Sequence, residues 1–340
     1  MNAAILSQFQ DLFKGQKNIA IIGHKNPDGD AVGATLGLYW FLLDRGHNPT
    51  VVMPNDFPDF LKWMPGSDKI VNFEQHTTQV KEIIAQADLI CTLDFNDLSR
   101  VGNMELLLSE SEKPFVMIDH HQQPSNYAIL TWSDPSMSST SEMVAHLIEA
   151  WSGWAGLTQA IATNLYTGIM TDTGSFKFPA TTAKTHRVVA ALIEAGTPHS
   201  NIHQAVYDNQ SPGRMKLLGR ALENMVIKQE WQTAYTFLSQ SDLDQCDFKK
   251  GDTEGFVNYA LQLEGIKFAL IFIENKSEQI IKISLRSIGD FSVNDFARQH
   301  FSGGGHINAA GGRYAGELSQ AIEHLLKHLP AYKHQLHEAK

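Results

Sequence analysis

Cysteine is scarce: Cys91 and Cys246 are the only two in 340 residues, far apart and in no thiol–metal or redox spacing. That excludes a disulfide framework and a thiolate metal centre, and it fits a reducing compartment. No stretch of about 18 apolar residues occurs, and no basic flank followed by an apolar segment opens the chain. A cytoplasmic protein without membrane contact is therefore expected. Positive charge is also in short supply, with 27 Lys and Arg against 37 Asp and Glu and a formal net charge of −10. Proteins that hold long nucleic acid through its phosphates carry the opposite balance, so long nucleic acid is excluded and any nucleic-acid partner should be short and gripped locally. Neither G-x-G-x-x-G nor G-K-[ST] is present, which removes the dinucleotide and Walker-type phosphate loops. There is no internal repeat and no low-complexity segment.

What remains is ordinary globular material, 43% hydrophobic and 19% charged, in a length that suits two domains. From residue 18 short apolar runs (19–23, 50–53, 89–94 and 115–119) alternate with amphipathic segments (31–44, 78–87, 141–151 and 157–170). This is the rhythm of βα units and predicts an α/β, mostly parallel, doubly wound sheet over residues 1–186. Residues 186–194 and 215–226 read as helices without strands, giving a helical connector over 187–228. New β signals at 233–238, 267–274 and 279–286, a hairpin turn at 275–278 and a closing helix over 317–329 predict a smaller second α/β domain at 229–340. The active site is expected in the cleft between the two.

Ligands of open α/β sheets bind outside the carboxyl ends of the strands. Those ends carry His24, Asp28 and Asp30 after the first strand, Asp94 after the third, and Asp119, His120 and His121 after the fourth, while Asp172 follows a long helix. So many carboxylates and imidazoles on one edge would repel and desolvate one another unless cations filled the space. Imidazole and carboxylate without thiolate suit manganese, zinc, iron or cobalt, with the carboxylate excess leaning toward manganese. The number of candidates suits two ions bridged by a shared carboxylate, as in two-metal phosphoryl chemistry. Each stretch also has a plainer reading, as turn residues around Asp28, a helix cap at Asp94 or a structural His-His pair. Their joint position at the ends of one sheet favours the metal.

The strings GHKNPDGDAVG, LDFNDLSRVG, IDHHQQP and YTGIMTDTGSF, in that order, resemble the motifs of the DHH phosphoesterase superfamily. RSIGDFSVNDFARQHFSGGGHINAAGG resembles its DHH-associated C-terminal domain, and together the matches span about residues 18–315. The most similar branch is the two-domain oligoribonuclease (nanoRNase) and 3′-phosphoadenosine 5′-phosphate (pAp) phosphatase type, also labelled exopolyphosphatase-related. The resemblance implies two manganese ions, with magnesium, cobalt or iron as alternatives. It implies His24 and Asp28 on the first, Asp30, His120 and Asp172 on the second, and Asp94 between them. It places His121 at the scissile phosphate and Asp119 behind the histidines. In the second domain it implies a substrate-binding patch of Arg286, Ser287, Gly303, Gly304, Gly305 and His306, with Asn308 equally readable as a turn residue.

From the residues themselves, the glycine run reads as an anion-binding nest of backbone N–H groups in front of a helix starting near His306. Arg286 offers a planar fork for a terminal phosphate. Arg100 is either a further phosphate contact or a solvated arginine. His324, His328, His334 and His337 read as an exposed helix face. The expected activity is exonucleolytic hydrolysis of RNA or DNA oligonucleotides of about two to five residues, held locally in keeping with the negative charge, together with hydrolysis of pAp. A cyclic di-AMP or linear-dinucleotide phosphodiesterase, and a non-catalytic nucleotide sensor, are the rivals. A second copy of the chain, as a homodimer, is the remaining candidate partner.

Overall fold

The computed structural model describes residues 3–339. They fall into two compact units, divided between Asn209 and Gln210.

The first unit is built on β1 (Asn18–Ile22), β2 (Asn48–Met53), β3 (Val71–Asn72), β4 (Leu89–Leu93), β5 (Phe115–Asp119) and β6 (Leu130–Ser133). All neighbours are parallel, in the order β3-β2-β1-β4-β5-β6. The helices are α1 (Ala3–Leu12), α2 (Gly29–Leu43), α3 (Thr77–Gln86), α4 (Glu105–Ser109), α5 (Thr140–Ser152), α6 (Gln159–Asp172), α7 (Ala183–Glu194) and α8 (His199–Tyr207). Strands β4 and β5 are buried along their whole length because helices cover both faces of the sheet, which is why they read as continuous apolar runs. Ile19, Ile21, Cys91 and Val116 pack on one face with Leu36 of α2, Val144 of α5 and Leu165 of α6. Ala20, Ile22 and Ile90 pack on the other with Val80 and Ile84 of α3 and Leu108 of α4. The sheet is therefore doubly wound, as expected. Its strand order reverses between β1 and β4, which opens a crevice at their carboxyl ends.

The second unit has β7 (Val226–Lys228), β8 (Thr233–Leu238), β9 (Phe268–Asn275), β10 (Ile280–Ser287), β11 (Gly304–Gly305) and β12 (Ala309–Tyr314) in the order β11-β12-β10-β9-β8-β7. Only β8 and β9 are parallel, and the β9–β10 hairpin falls where the sequence predicts it. On one face lie α9 (Pro212–Glu223), α10 (Gln240–Gln245) and α11 (Val257–Ala260), and on the other α12 (Val293–His300), α13 (Leu318–His328) and α14 (Lys333–Glu338). Helices α7 and α8 bury Val188, Leu192, Ile202 and Val206 in the core of the first unit, and α9 buries Leu217 and Ala221 in the second. Segment 187–228 is thus shared out between the units. Among the described residues no helix is long and apolar enough to cross a membrane.

Candidate metal and phosphate site

The acidic and histidine residues of the first unit come together at the crevice. Asp28 caps α2, its Oδ1 accepting from the N–H groups of Asp30 (3.0 Å) and Ala31 (3.1 Å), so the turn after β1 and the start of the helix are fixed by one carboxylate. Gly33 lets α2 lie against α6, since a Cβ there would stand 2.6 Å from the Asn164 carbonyl oxygen. That approach carries the start of α2 to the end of α6, where Asp172 is the last helical residue.

Asp94, directly after β4, sits between two histidines. Its Oδ2 is 3.4 Å from His24 Nε2, and its Oδ1 is 3.6 Å from His120 Nε2. His24 Nε2 also faces Asp28 Oδ1 at 3.8 Å, and His120 Nε2 faces Asp172 Oδ2 at 3.5 Å and Asp30 Oδ2 at 3.9 Å. The ligand atoms of His24, Asp28 and Asp94 lie within 4.8 Å of one another, as do those of Asp30, His120 and Asp172. Asp94 holds a left-handed backbone, φ 67°, unusual for a residue with a side chain and common where function requires it.

The donor set fits cations. His24 Nδ1 donates to the Lys25 carbonyl at 2.9 Å and His120 Nδ1 to that of Met137 at 3.2 Å, which leaves each Nε2 aimed at carboxylate oxygens. Two lone pairs facing each other require a proton or a metal ion between them. Burial, with Asp30 and Asp28 alongside, pushes Asp94 well above the usual carboxylate range. Burial also raises Asp30. Although burial opposes it, contact with Asp28 and Asp94 lifts His24 to about 10. The cluster demands positive charge, and two divalent ions would supply it.

Asp119 is fully buried, and its Oδ1 accepts from His121 Nδ1 at 2.7 Å. Its Oδ2 is buried without a hydrogen-bond partner. Burial, with His120 and Arg100 adding to it and Asp119 opposing, keeps His121 below the usual histidine range. Arg100 is solvent-exposed yet close enough to act on His121 electrostatically.

Two contributors carry only a weak sequence signal. The first backbone N–H groups of α5 grip Asp30, Thr140 N to Oδ2 at 2.7 Å and Ser141 N to Oδ1 at 2.8 Å, and Thr140 Oγ1 donates to Asp94 Oδ1 at 3.0 Å. A helix N-terminus is suited to hold an anion, so the Ser138–Thr140 stretch, legible as a helix start, also positions a carboxylate.

The second unit corrects one expectation. No helix starts at His306: Gly304 and Gly305 form β11, paired with Gly311 and Ala310, and the chain turns straight into β12. Nor do these glycines form an open nest, because Gly303 N donates to Ala297 O (3.2 Å), Gly305 N to Asn294 Oδ1 (2.9 Å) and His306 N to Ala309 O (2.7 Å). Close backbone contact explains the run instead. A Cβ on Gly303 would lie 1.9 Å from Gly311 O, and one on Gly305 2.5 Å from Ala309 O. Arg286 Nη1 donates to its neighbour's carbonyl, Leu285 O, at 2.9 Å. Ser287 donates to Phe291 O at 2.7 Å, and Asn308 donates to Ser287 Oγ (2.9 Å) and Gly289 O (2.6 Å), the turn role foreseen as its alternative. Arg286, Ser287 and Asn308 nevertheless lie beside one another, on β10 and at the turn before β12.

A parallel sheet with paired histidine–carboxylate clusters at its switch point is suited to hold divalent metal ions, and sequence comparison identifies the family. Residues 18–169 match the DHH family N-terminal domain and residues 232–334 the DHHA1 domain. The chain belongs to the DHH phosphoesterase family. It is 32% identical to the bifunctional oligoribonuclease and PAP phosphatase NrnA of Thermus thermophilus, over 91% of this chain and 88% of that protein. It is 28% identical to the NrnA of Bacillus subtilis over 85% and 86%. The crystal structure of an exopolyphosphatase-related protein from Bacteroides fragilis superposes with a TM-score of 0.94 at 38% identity, covering 99% of this chain and 98% of that one.

Proposed function

We propose that this chain is a manganese-dependent two-metal phosphoesterase that trims short oligonucleotides to nucleoside monophosphates and dephosphorylates pAp in the cytoplasm. The observation that carries the metal reading is Asp94, one oxygen turned to His24 and the other to His120. His24 and Asp28 would hold one ion, Asp30, His120 and Asp172 the second, and Asp94 both. Bound divalent ions activate a water and neutralise charge on the phosphate. Thr140 and Ser141 keep Asp30 and Asp94 in place for that task. Asp119 holds His121 through Nδ1 and would orient its ring toward a substrate phosphate or a leaving oxygen. Arg286 would be the planar fork for a second phosphate, with Ser287, Gly303 to Gly305, His306 and Asn308 as the rest of the candidate patch. A phosphate fixed there sets which ester is cleaved, so binding energy away from the reacting bond becomes positioning.

Similarity to the two bifunctional relatives over most of both chains supports the substrate class. The test is a panel in Mn2+ of pAp, pApA, ApA, pGpG, a short RNA, cyclic di-AMP and pyrophosphate, repeated after chelation. The expected result is fastest turnover of pApA, the short RNA and pAp, abolished by chelator and restored by Mn2+. Fastest turnover of cyclic di-AMP would transfer the chain to the cyclic-dinucleotide reading, and nucleotide binding without any hydrolysis would make it a sensor.

A further inference from the structure

We propose that the second unit carries a transition-metal site of its own, formed by His300, His324 and His328 and selective for zinc-like ions over manganese. The sequence reading put His324 and His328 on an exposed helix face, but both are half-buried, and His300 joins them from the end of α12. One ring nitrogen from each lies within 4.8 Å of the others. The ring centroids are 4.4 Å apart for His324 and His328, 4.6 Å for His300 and His328, and 6.1 Å for His300 and His324. His324 and His328 are one turn apart on α13 and so share a face, a spacing by which a helix chelates an ion.

The rings are already set for coordination. His328 Nδ1 donates to the His324 carbonyl at 2.8 Å, which leaves Nε2 with its lone pair. The Tyr332 hydroxyl, 2.7 Å from His300 Nε2 and donating to Gln299 Oε1 at 2.9 Å, steadies the His300 ring. His324 Nε2 is buried with no hydrogen-bond partner. Phe301 and Tyr314 pack against His324, and Phe296 against His300, walling the cluster with apolar rings. Burial, with the neighbouring imidazoles adding to it, holds His300 and His324 below the usual histidine range. Three nitrogens on one zinc at about 2.0 Å stand roughly 3.3 Å apart, so small side-chain rotations would close the set.

Ion selectivity follows from the donors. The cluster contains no carboxylate, unlike the acid-rich clusters of the first unit. Imidazole alone suits zinc, copper, nickel or cobalt and suits manganese or magnesium poorly. An ion there would tie the end of α12 to α13, just before the Gly303 to Gly305 segment.

Zinc stoichiometry, measured by competition with a chromophoric chelator on the full chain, tests this. Wild type should bind one more equivalent of Zn2+ than His328→Gln or His300→Gln, and Mn2+ stoichiometry should be the same in all three. Far-UV circular dichroism checks that each variant folds. Should neither fold, carbethoxylation of the wild-type chain followed by mass spectrometry decides. Zn2+ but not Mn2+ should then shield His300, His324 and His328. Equal Zn2+ equivalents in wild type and a folded variant, or histidines modified equally with and without Zn2+, would overturn the proposal.

Discussion

Asp30, Asp94, Asp119 and Glu142, all the carboxylates buried among the described residues, lie in the first unit, while the second buries none. Sequestering a carboxylate is costly unless hydrogen bonds, protons or cations compensate it. In the first unit compensation is visibly incomplete: Asp94 is raised by burial and by its acidic neighbours, and His24 and His120 turn Nε2 toward carboxylates that a proton or a cation must satisfy. The polar groups of the second unit's candidate patch are instead engaged by the unit itself, Ser287 by Phe291, Asn308 by Ser287 and Gly289, and Gly305 N by Asn294. One unit is thus organised around missing positive charge and the other around its own backbone. On the proposed function, the chemistry would fall to the first unit and the positioning of a substrate to the second.

The strongest way to break that division is to remove charge from the first unit. Asp94→Asn keeps the shape and tolerates the left-handed backbone, but it deletes the carboxylate facing both histidines. Activity on pApA in Mn2+ should fall about a thousandfold or more. Without metal the same variant should melt no lower than wild type, because it relieves repulsion with Asp30 and Asp28. Retained Mn2+-stimulated turnover would remove the two-metal reading. Next in size is Arg286→Ala in the second unit. If Arg286 holds a second phosphate through charge-assisted hydrogen bonds, kcat/KM on 5′-phosphorylated dinucleotides should drop by about 1.5 to 3 kcal/mol, roughly tenfold to a hundredfold. Bis-p-nitrophenyl phosphate, with no second phosphate to anchor, should be spared, and equal losses on both substrates would assign Arg286 to folding.

The same contrast explains what could be read from the sequence. In a parallel sheet the carboxyl ends of the strands share one edge, so the apolar runs leading to His24, Asp94 and Asp119 announced both the strands and the edge on which these candidate residues meet, whereas Asp172 comes from the end of a helix. Elements with little local signal escaped: β3 has two residues, β6 is a half-buried strand of four, and β11 and β12 are rich in glycine. Glycine fits an anion nest and a close backbone crossing equally well, and only the partner strand, Gly311 and Ala310 across from Gly304 and Gly305, distinguishes them. The grip of α5 on Asp30 was hidden for a related reason, since backbone N–H groups leave no mark in a sequence.

Glycine substitutions sharpen the account of the second unit. Gly303→Ala would drive a Cβ to 1.9 Å from Gly311 O, whereas at Gly304 the nearest atom is Asn294 Oδ1 at 3.5 Å. Gly303→Ala should therefore destabilise the chain by about 1 to 3 kcal/mol, as overpacking does, and Gly304→Ala should stay within about 0.5 kcal/mol of wild type. Urea unfolding of both variants measures this. Equal stability with selective loss of phosphate binding would restore the nest.

The smallest expected effect concerns Glu142, the buried carboxylate of the first unit that lies outside the metal clusters. Burial pushes it up, but His146, Ser138 and Thr185 outweigh that and hold it below the usual carboxylate range. Thr185 Oγ1 donates to Glu142 Oε2 at 3.0 Å, and His146 Nε2 lies 3.6 Å from Oε1. Glu142, with Glu149 adding to it and burial opposing, raises His146. A lowered carboxyl stabilises the fold above its unfolded value, about 4.3, and loses that contribution as pH falls through its folded value. A raised histidine contributes fully below its unfolded value, about 6.5, and loses that contribution as pH rises through its folded one. The pair is therefore strongest between those two unfolded values. Because His146 is partly exposed, His146→Gln should cost only about 0.5 to 1 kcal/mol near the middle of that window. The deficit should shrink as pH rises above about 6.5 and passes through the raised folded value of His146. Urea unfolding of both proteins across this range measures the difference, and a deficit independent of pH would assign His146 to packing and leave Glu142 compensated by Ser138 and Thr185 alone.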